Sequence, residues 1–227
     1  MLSSSRMPNQ RRVAFVTIGQ SPRDDMLPEM LAVIGPGVVP VEVGVLDGLA
    51  PDATARLAPG PDDRLLVSRL RDGGEARLGA RWVRQRLQEI LDRLDAAGVD
   101  LIVLLCTGHF EGLRARTLLV EAQRVTDQAV AAFAEDGRTV GVLVPEARQV
   151  GEFHARGAGG VVLAHASPYA GADRFVEAAQ ELAKADVIVM HCMGYSEAMR
   201  RRVAEAAGRP VLLARRLVAS MVAQLVA

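Results

Sequence analysis

Residues 101–108, LIVLLCTG, and residues 186–194, DVIVMHCMG, are the two segments from which the architecture can be predicted. Each is an apolar run of strand length that ends in a cysteine, followed two residues later by a glycine. Continuous rather than alternating apolar residues are typical of parallel strands covered on both faces. In open parallel sheets, ligands bind beyond the carboxyl ends of the strands, which is where Cys106 and Cys192 fall. They are the two cysteines of the chain, so we ask whether they form a catalytic pair.

The composition predicts a globular protein with an ample core. Half of the 227 residues are hydrophobic, and 27 Lys and Arg balance 27 Asp and Glu. With zero net charge and no basic stripe interleaved with aromatic residues, nucleic acid is a poor candidate partner. The first residues lack the apolar core of a secretory signal, and no apolar run reaches the roughly 20 residues of a membrane span. We therefore expect a cytoplasmic protein with no membrane association, in which the cysteines are thiols rather than a disulfide.

The rest of the chain alternates between strand and helix patterns. Val13–Ile18 is the first predicted strand, and Ser21 followed by Pro22 predicts a helix start. Because proline removes a backbone donor, that helix either kinks at Pro28 or begins there. Further strands are predicted at 38–46, 101–106, 114–120, 139–144, 160–164, 186–192 and 210–214, a hairpin at 65–78, and helices at 80–97, 121–135, 145–156, 171–185, 196–207 and 216–226.

This order of elements predicts two similar halves. Each half holds several strand-helix units, and each ends a central strand in a cysteine. Two lobes with a cleft between them would let these strand ends face each other. No glycine-rich phosphate-binding motif follows any predicted strand, so we expect no nucleotide cofactor.

Three motifs resemble those of the AroM family: residues 17–23 (TIGQSPR), residues 104–108 (LLCTG) and residues 191–195 (HCMGY). AroM proteins in turn resemble the aspartate, glutamate and hydantoin racemase superfamily, which includes maleate isomerase and arylmalonate decarboxylase. The resemblance implies an α/β fold of two Rossmann-like lobes, with parallel sheets flanked by helices and a C-terminal helix that returns to the first lobe. It also implies cofactor-independent proton chemistry next to a carboxylate, with one thiol from each lobe beside the cleft.

The resemblance extends over nearly the whole chain beyond residue 11 and suggests how the chain divides. Residues 1–12 are expected to be a flexible N-terminal segment, residues 13–118 together with 215–227 the first lobe, and residues 119–214 the second lobe. The racemases carry Cys-Asn-Thr and Gly-Cys-Thr patterns where this chain has Cys-Thr-Gly and His-Cys-Met-Gly. This departure weighs against specificity for aspartate or glutamate.

Cys106 and Cys192 are the predicted catalytic residues. A racemase needs a base on one face of the substrate carbon and an acid on the other, and a thiolate with a facing thiol supplies both. A cysteine at the start of a helix after a strand is expected to have a lowered pKa. The alternative is that both are buried structural cysteines, because free cysteine is among the most buried residue types.

A carboxylate site is predicted around the first motif and the first thiol. Arg23 could bind a carboxylate through two hydrogen bonds, and backbone N–H groups at a strand end favour an anion. The predicted carboxylate-binding residues are Thr17, Gly19, Gln20, Arg23, Thr107 and Gly108. The alternative for this loop is that Ser21 caps a helix and Arg23 is solvated.

The second lobe is expected to complete the site. Its candidate lining residues follow two predicted strands and are Pro145, Glu146, Met193, Gly194 and Tyr195. Glu146 is explained almost as well as an acid at a helix start, and Tyr195 as a packing residue. Zinc binding by Cys106, His109 and the His191–Cys192 pair is a weaker alternative, because adjacent strand residues point to opposite faces. We predict no metal.

The sequence therefore predicts a racemase or isomerase-like enzyme that acts on a small carboxylate through two thiols, without a cofactor. One alternative is a one-thiol decarboxylase or cis-trans isomerase, and another is a non-catalytic protein that binds a small acid. Base rates among soluble oligomers favour a homodimer.

Overall fold

The computed structural model describes residues 10–153, 160–169 and 174–227, which form two four-stranded parallel sheets and a separate hairpin. In chain order the strands are β1 (Arg11–Thr17), β2 (Val38–Gly44), β3 (Leu65–Arg69), β4 (Glu75–Gly79), β5 (Leu101–Leu104), β6 (Leu119–Glu121), β7 (Val140–Val144), β8 (Val161–His165), β9 (Val187–Met190) and β10 (Val211–Leu213). The helices are α1 (Leu27–Ile34), α2 (Pro51–Ala55), α3 (Ala80–Ala97), α4 (Ala122–Ala134), α5 (Ala147–Glu152), α6 (Phe175–Glu181), α7 (Glu197–Ala207) and α8 (Ala214–Val226).

The two sheets have the same strand order. The first is β2-β1-β5-β6 and the second is β8-β7-β9-β10, and neighbouring strands are parallel throughout. The strands that lead into Cys106 and Cys192, β5 and β9, therefore hold equivalent central positions beside β1 and β7. The predicted α/β fold with two similar parallel-sheet lobes is confirmed.

Helices cover both faces of each sheet, which explains the unbroken apolar runs of the sequence. Every residue of β5 and β9 is buried. On the first sheet, α3 packs against one face, with Leu87 and Leu91 in a core shared with Ile102. The apolar stripe of α3 and its end at Gly98, which has a left-handed φ of 64°, are as predicted.

The helices α4 and α8 cross between the lobes. The chain enters α8 from the second sheet, yet Val218 of this helix shares a core with Phe15 of the first sheet. The chain enters α4 from the first sheet, yet Val130 packs with Val142 of the second sheet. The predicted return of the C-terminal helix to the first lobe is confirmed. Because β6 pairs with β5, the first sheet extends through Glu121, beyond the boundary expected after residue 118.

The hairpin of β3 and β4 is attached to both lobes. The backbone N–H of Gln20 in the first lobe donates to the carbonyl of Arg69 at 3.3 Å. The side-chain amide of Gln149 in the second lobe donates to the carbonyl of Leu65 at 3.1 Å. The predicted hairpin is thus confirmed, and it spans the two lobes over the strand ends.

The first predicted helix does not begin at Ser21. Asp47 accepts both the backbone N–H and the hydroxyl of Ser21, so the Ser21 side chain caps no helix. The helix α1 begins at Leu27 with Pro28 in its first turn, the second of the two alternatives. The predicted strand at 114–120 is also mostly wrong, because the carboxylate of Asp95 takes the backbone N–H groups that would otherwise pair in a sheet.

Some predictions fall outside the described residues: residues 1–9 of the N-terminal segment, residues 154–156 of the helix at 145–156 and residues 171–173 of the helix at 171–185. In the described part of that last helix, α6 ends at Glu181, four residues before the predicted end. None of the helices in the three described ranges is long and apolar enough to cross a membrane.

Candidate active site

The two cysteines line the same cavity. This cavity has a volume of about 1130 Å³ and lies at the carboxyl ends of both sheets. Cys106 and Cys192 are each 8% exposed. The residues beside them are in direct contact, because the hydroxyl of Thr107 donates to the backbone carbonyl of His191 at 3.0 Å. The structure therefore brings the two strand ends together across the lobes.

A backbone N–H group holds each sulfur in the same way. The N–H of Gly108 lies 3.3 Å from Cys106 Sγ, and the N–H of Gly194 lies 3.4 Å from Cys192 Sγ. Gly108 was predicted to bind the substrate carboxylate and Gly194 to line the site, but in the structure the N–H groups of both donate to the sulfurs. A thiolate gains from such donors, so each Cys-x-Gly segment stabilises the charged form of its own cysteine.

Burial outweighs this stabilisation in both lobes. It raises the pKa of Cys106 to about 12 and that of Cys192 to about 11, while the glycine N–H groups lower both pKa values. Neither cysteine starts a helix, because the chain after Cys106 is irregular and α7 begins only at Glu197. The predicted lowering of the pKa by a helix N-terminus is therefore wrong, and both thiols are neutral near pH 7.

Arg23 lines the cavity, but Asp25 already occupies the edge of its guanidinium group that can bind a carboxylate through two hydrogen bonds. Its Nε and Nη2 donate to the two carboxylate oxygens of Asp25 at 2.7 and 2.8 Å. Its Nη1 donates to the hydroxyl of Thr17 at 2.9 Å, and Nη2 lies 3.5 Å from the Tyr169 hydroxyl. The predicted bidentate clamp on a substrate is thus wrong for this arrangement, although one N–H of Nη1 has no partner among these bonds.

The Arg23–Asp25 pair is charged and buried. Burial opposes the charge on both groups, yet the hydrogen bonds between them raise the pKa of Arg23 and hold that of Asp25 below its usual range. Thr17 is buried and does not line the cavity. Its hydroxyl orients Arg23 and accepts the N–H of Gly19 at 3.2 Å.

Gly19 and Gln20 serve the hairpin rather than the cavity. A Cβ at Gly19 would collide with the carbonyl of Arg69, so only glycine allows the hairpin to approach this closely. The side-chain oxygen of Gln20 accepts the backbone N–H of Arg71 at 2.8 Å. The predicted role of these two residues in substrate binding is not supported by their positions.

The candidate residues of the second lobe divide into two groups. Pro145, Met193 and Gly194 line the cavity. Glu146 does not, because its carboxylate forms an ion pair with Arg77 of the hairpin. Tyr195 is fully buried, and its hydroxyl donates to the carbonyl of Ala166 at 2.9 Å. The packing alternative for Tyr195 is therefore correct.

Sequence reasoning missed Tyr169, which lines the cavity. Its hydroxyl lies beside Arg23 and so close to Gly194 that a side chain at 194 would collide with it. Burial raises the pKa of Tyr169, so the hydroxyl stays protonated and can donate a hydrogen bond. The sequence offered one sign of this role, because Tyr169 follows strand β8 within a few residues. Tyr195 follows strand β9 in the same way and is a core residue, so this position in the sequence does not distinguish the two roles.

A histidine and an aspartate of the same cavity were also missed as a pair. His191 Nε2 and Asp127 Oδ1 are 2.7 Å apart, and the His191 ring meets Phe153 edge-on with centroids 5.2 Å apart. Within the described part of the chain, no three His, Cys, Asp or Glu residues are grouped so that they could hold a metal ion.

Comparison with known proteins gives one family and several similar folds. Residues 13–226 match the family described as AroM protein. No protein of curated function matches the chain. Similar solved structures include the maleate isomerase Iso from Pseudomonas putida S16, with 14% identity, a TM-score of 0.61 and coverage of 95% of this chain and 92% of that chain. The aspartate racemase of Picrophilus torridus has 11% identity, a TM-score of 0.59 and coverage of 95% and 94%. Arylmalonate decarboxylase has 13% identity, a TM-score of 0.57 and coverage of 95% and 92%.

Proposed function

The chain belongs to the AroM protein family, and we propose that it is a cofactor-independent enzyme of the racemase and isomerase type that moves a proton at a carbon next to a carboxylate. Its fold is that of racemases, isomerases and a decarboxylase. At these sequence identities the likeness supports the architecture. The chemistry is argued from the cavity itself.

The observation that carries the proposal is the position of the two thiols. Cys106 and Cys192 end equivalent strands of two equivalent sheets and line one cavity. In the proposed reaction, the thiolate of one cysteine takes the proton from the substrate carbon and becomes a thiol. The thiol of the other gives its proton to the opposite face of that carbon and becomes a thiolate. Proton count and charge balance, so no cofactor has to take part.

The developing negative charge on the substrate needs hydrogen-bond donors. Arg23 and Tyr169 are neighbours in the cavity wall, with Arg23 Nη2 3.5 Å from the Tyr169 hydroxyl, and each is a hydrogen-bond donor. Because Asp25 neutralises much of the Arg23 charge, we propose that a single carboxylate binds end-on to Arg23 Nη1 and Tyr169. A second carboxylate on the substrate would need a further cation, and Arg64 lines the cavity on the Cys106 side.

The experiment is an NMR screen of small carboxylic and amino acids for incorporation of solvent deuterium. We expect exchange in the wild-type protein for at least one acid. Cys106→Ala and Cys192→Ala should each reduce it by about a thousandfold or more while thermal unfolding stays unchanged. Leu118→Ala, which alters an exposed residue that does not line the cavity, is the matched control and should exchange at the wild-type rate. Unchanged exchange in both cysteine variants would end the proposal.

One observation favours a second candidate, a decarboxylase or cis-trans isomerase that uses one thiol. Two arginines act on each thiol, but the second one beside Cys192 is the buried Arg215, whereas the second one beside Cys106 is the exposed Arg64, so the charge beside Cys192 is less screened by solvent. In that case Cys106→Ala would retain turnover and Cys192→Ala would not. A protein that only binds the acid would be stabilised by it in thermal unfolding without any exchange.

A further inference from the structure

Arg215 is the largest fully buried side chain of the described residues, and only 1% of its surface is exposed. All five of its N–H bonds have acceptors: the Met193 carbonyl receives two, and the Gly194 carbonyl, the Asp25 carbonyl and the Glu29 carboxylate receive one each. Burial disfavours a cation, and so does the first turn of a helix, where Arg215 lies in α8. A charge kept in such a place needs an explanation.

The explanation lies in one peptide unit behind Cys192. The amide that joins Met193 to Gly194 carries both the carbonyl to which Arg215 donates and the N–H that donates to Cys192 Sγ. Hydrogen bonds in a chain polarise one another, so a cation on the carbonyl makes the N–H of the same amide a stronger donor. The charge of Arg215 thereby reaches the sulfur through a single amide plane.

The first lobe has no arginine at the equivalent helix position. Arg215 is the second residue of α8, which follows the edge strand β10 of the second sheet. The equivalent residue of the first lobe is Gln123, the second residue of α4 after the edge strand β6. The neutral Gln123 side chain bonds to Asp127 and lies 3.5 Å from the His109 ring. The two thiols therefore have the same kind of N–H donor, but the equivalent helix position carries a cation only in the second lobe.

We propose that Arg215 is a positioning residue that makes Cys192 the thiol that gives up its proton first, and hence, if the proposed function holds, the base that starts the reaction. The charged and titratable groups that act on Cys192 or respond to it are Arg23, Arg215, Glu75, Tyr169, Tyr195 and Cys106. Arg23 also acts on Cys106, and the exposed Arg64 acts on Cys106 alone, whereas the buried Arg215 acts on Cys192 alone.

The test measures each thiol alone in the full-length chain, through its rate of alkylation by iodoacetamide between pH 7.5 and 9. Cys106→Ala leaves Cys192 as the reporter, and Cys192→Ala leaves Cys106. Adding Arg215→Met should slow alkylation of Cys192 by about tenfold at each pH and leave the rate at Cys106 unchanged. Arg215→Lys keeps the charge without the forked contacts and should give a smaller loss, about threefold.

Glu29→Gln covers the case in which Arg215→Met does not fold. Glu29 is the carboxylate partner of Arg215 at 2.7 Å and is partly exposed. Its neutralisation leaves more positive charge behind Cys192, so alkylation of Cys192 should become faster. Unchanged rates in a folded Arg215→Met protein or in Glu29→Gln, or an equal change at Cys106, would overturn the inference. Because alkylation needs no substrate, the inference can hold even if the deuterium screen shows no turnover.

Discussion

The lobe that contains Cys106 and the lobe that contains Cys192 share a strand order but differ in what is buried behind the thiol. In both halves a central strand leads to a Cys-x-Gly segment whose glycine N–H donates to the sulfur. Within the described residues, a buried cation, Arg215, also holds the segment of Cys192 and none is seen to hold that of Cys106. The shared geometry makes two similar thiols, and a buried cation beside Cys192, against the exposed Arg64 beside Cys106, makes them unequal.

A second difference concerns the ion pairs beside the strands β1 and β7. The loop after β1 places Arg23 and Asp25 in a buried pair at the cavity wall. The loop after β7 places Glu146 in a half-exposed pair with Arg77 of the hairpin. Equivalent places in the fold therefore serve different purposes, one to hold a charge at the cavity and the other to hold the hairpin in place.

The largest expected effect tests the buried pair. Asp25→Asn should lower the free energy of unfolding by about 3 kcal/mol at pH 7, because it leaves the charge of Arg23 buried without its carboxylate. The folded-state pKa of Asp25 is lowered, so its stabilisation is present above about pH 4 and is lost as the pH falls. In urea unfolding, the gap between variant and wild type should therefore close between about pH 5 and pH 2. A variant as stable as wild type at pH 7 would show that other groups balance Arg23.

The next effect tests whether either half holds a preformed thiolate. Because burial raises the pKa of both thiols above 10, the thiolate fraction should grow about tenfold per pH unit. The deuterium exchange rate at low substrate concentration should thus rise about 100-fold from pH 7 to pH 9. A plateau below pH 8 would mean that one thiol is already ionised in the free protein.

A smaller effect compares the two glycines. A Cβ at Gly194 would collide with Tyr169 and come within 2.9 Å of the Pro168 ring, whereas one at Gly108 would meet a terminal methyl of Leu66 at 2.6 Å. Leu66 can change rotamer more readily than a proline ring can move. Gly194→Ala should therefore cost about 2 kcal/mol in urea unfolding and Gly108→Ala about 1 kcal/mol. Equal costs would show that both loops yield to the same degree.

The smallest effect concerns the exposed pair. Arg77 is 49% exposed, so Glu146→Gln should lower the free energy of unfolding by no more than about 0.5 kcal/mol. The same urea measurement made for Asp25→Asn provides the contrast. A loss above about 1 kcal/mol would show that the hairpin contributes to holding the lobes together.

Local patterns predicted the regular elements well. The apolar stripe of α3, the helix over 196–207 and the continuous apolar strands could all be predicted because each depends on neighbours within a few residues. Ser21 was misread because its partner Asp47 lies 26 residues away. Tyr195 was left between a cavity role and a packing role for the same reason, since its acceptor Ala166 is 29 residues away.

The candidate site shows the same division. The sequence identified the two thiols, because each follows a strand of unmistakable pattern. It assigned Gln20 to the substrate, whereas the structure gives this side chain to the hairpin, 51 residues away. It passed over Tyr169 and Arg215, which reach the cavity or its thiol only through the packing of distant segments.

The sequence by itself determined that this chain forms parallel strands with a thiol at the end of one strand in each half, because a buried strand is specified by consecutive apolar residues. Only the tertiary structure decided that both thiols share one cavity and that Arg215 stands behind Cys192 alone. Those facts depend on strand order and on contacts between residues far apart in the chain, which are fixed when the two sheets and their crossing helices pack together.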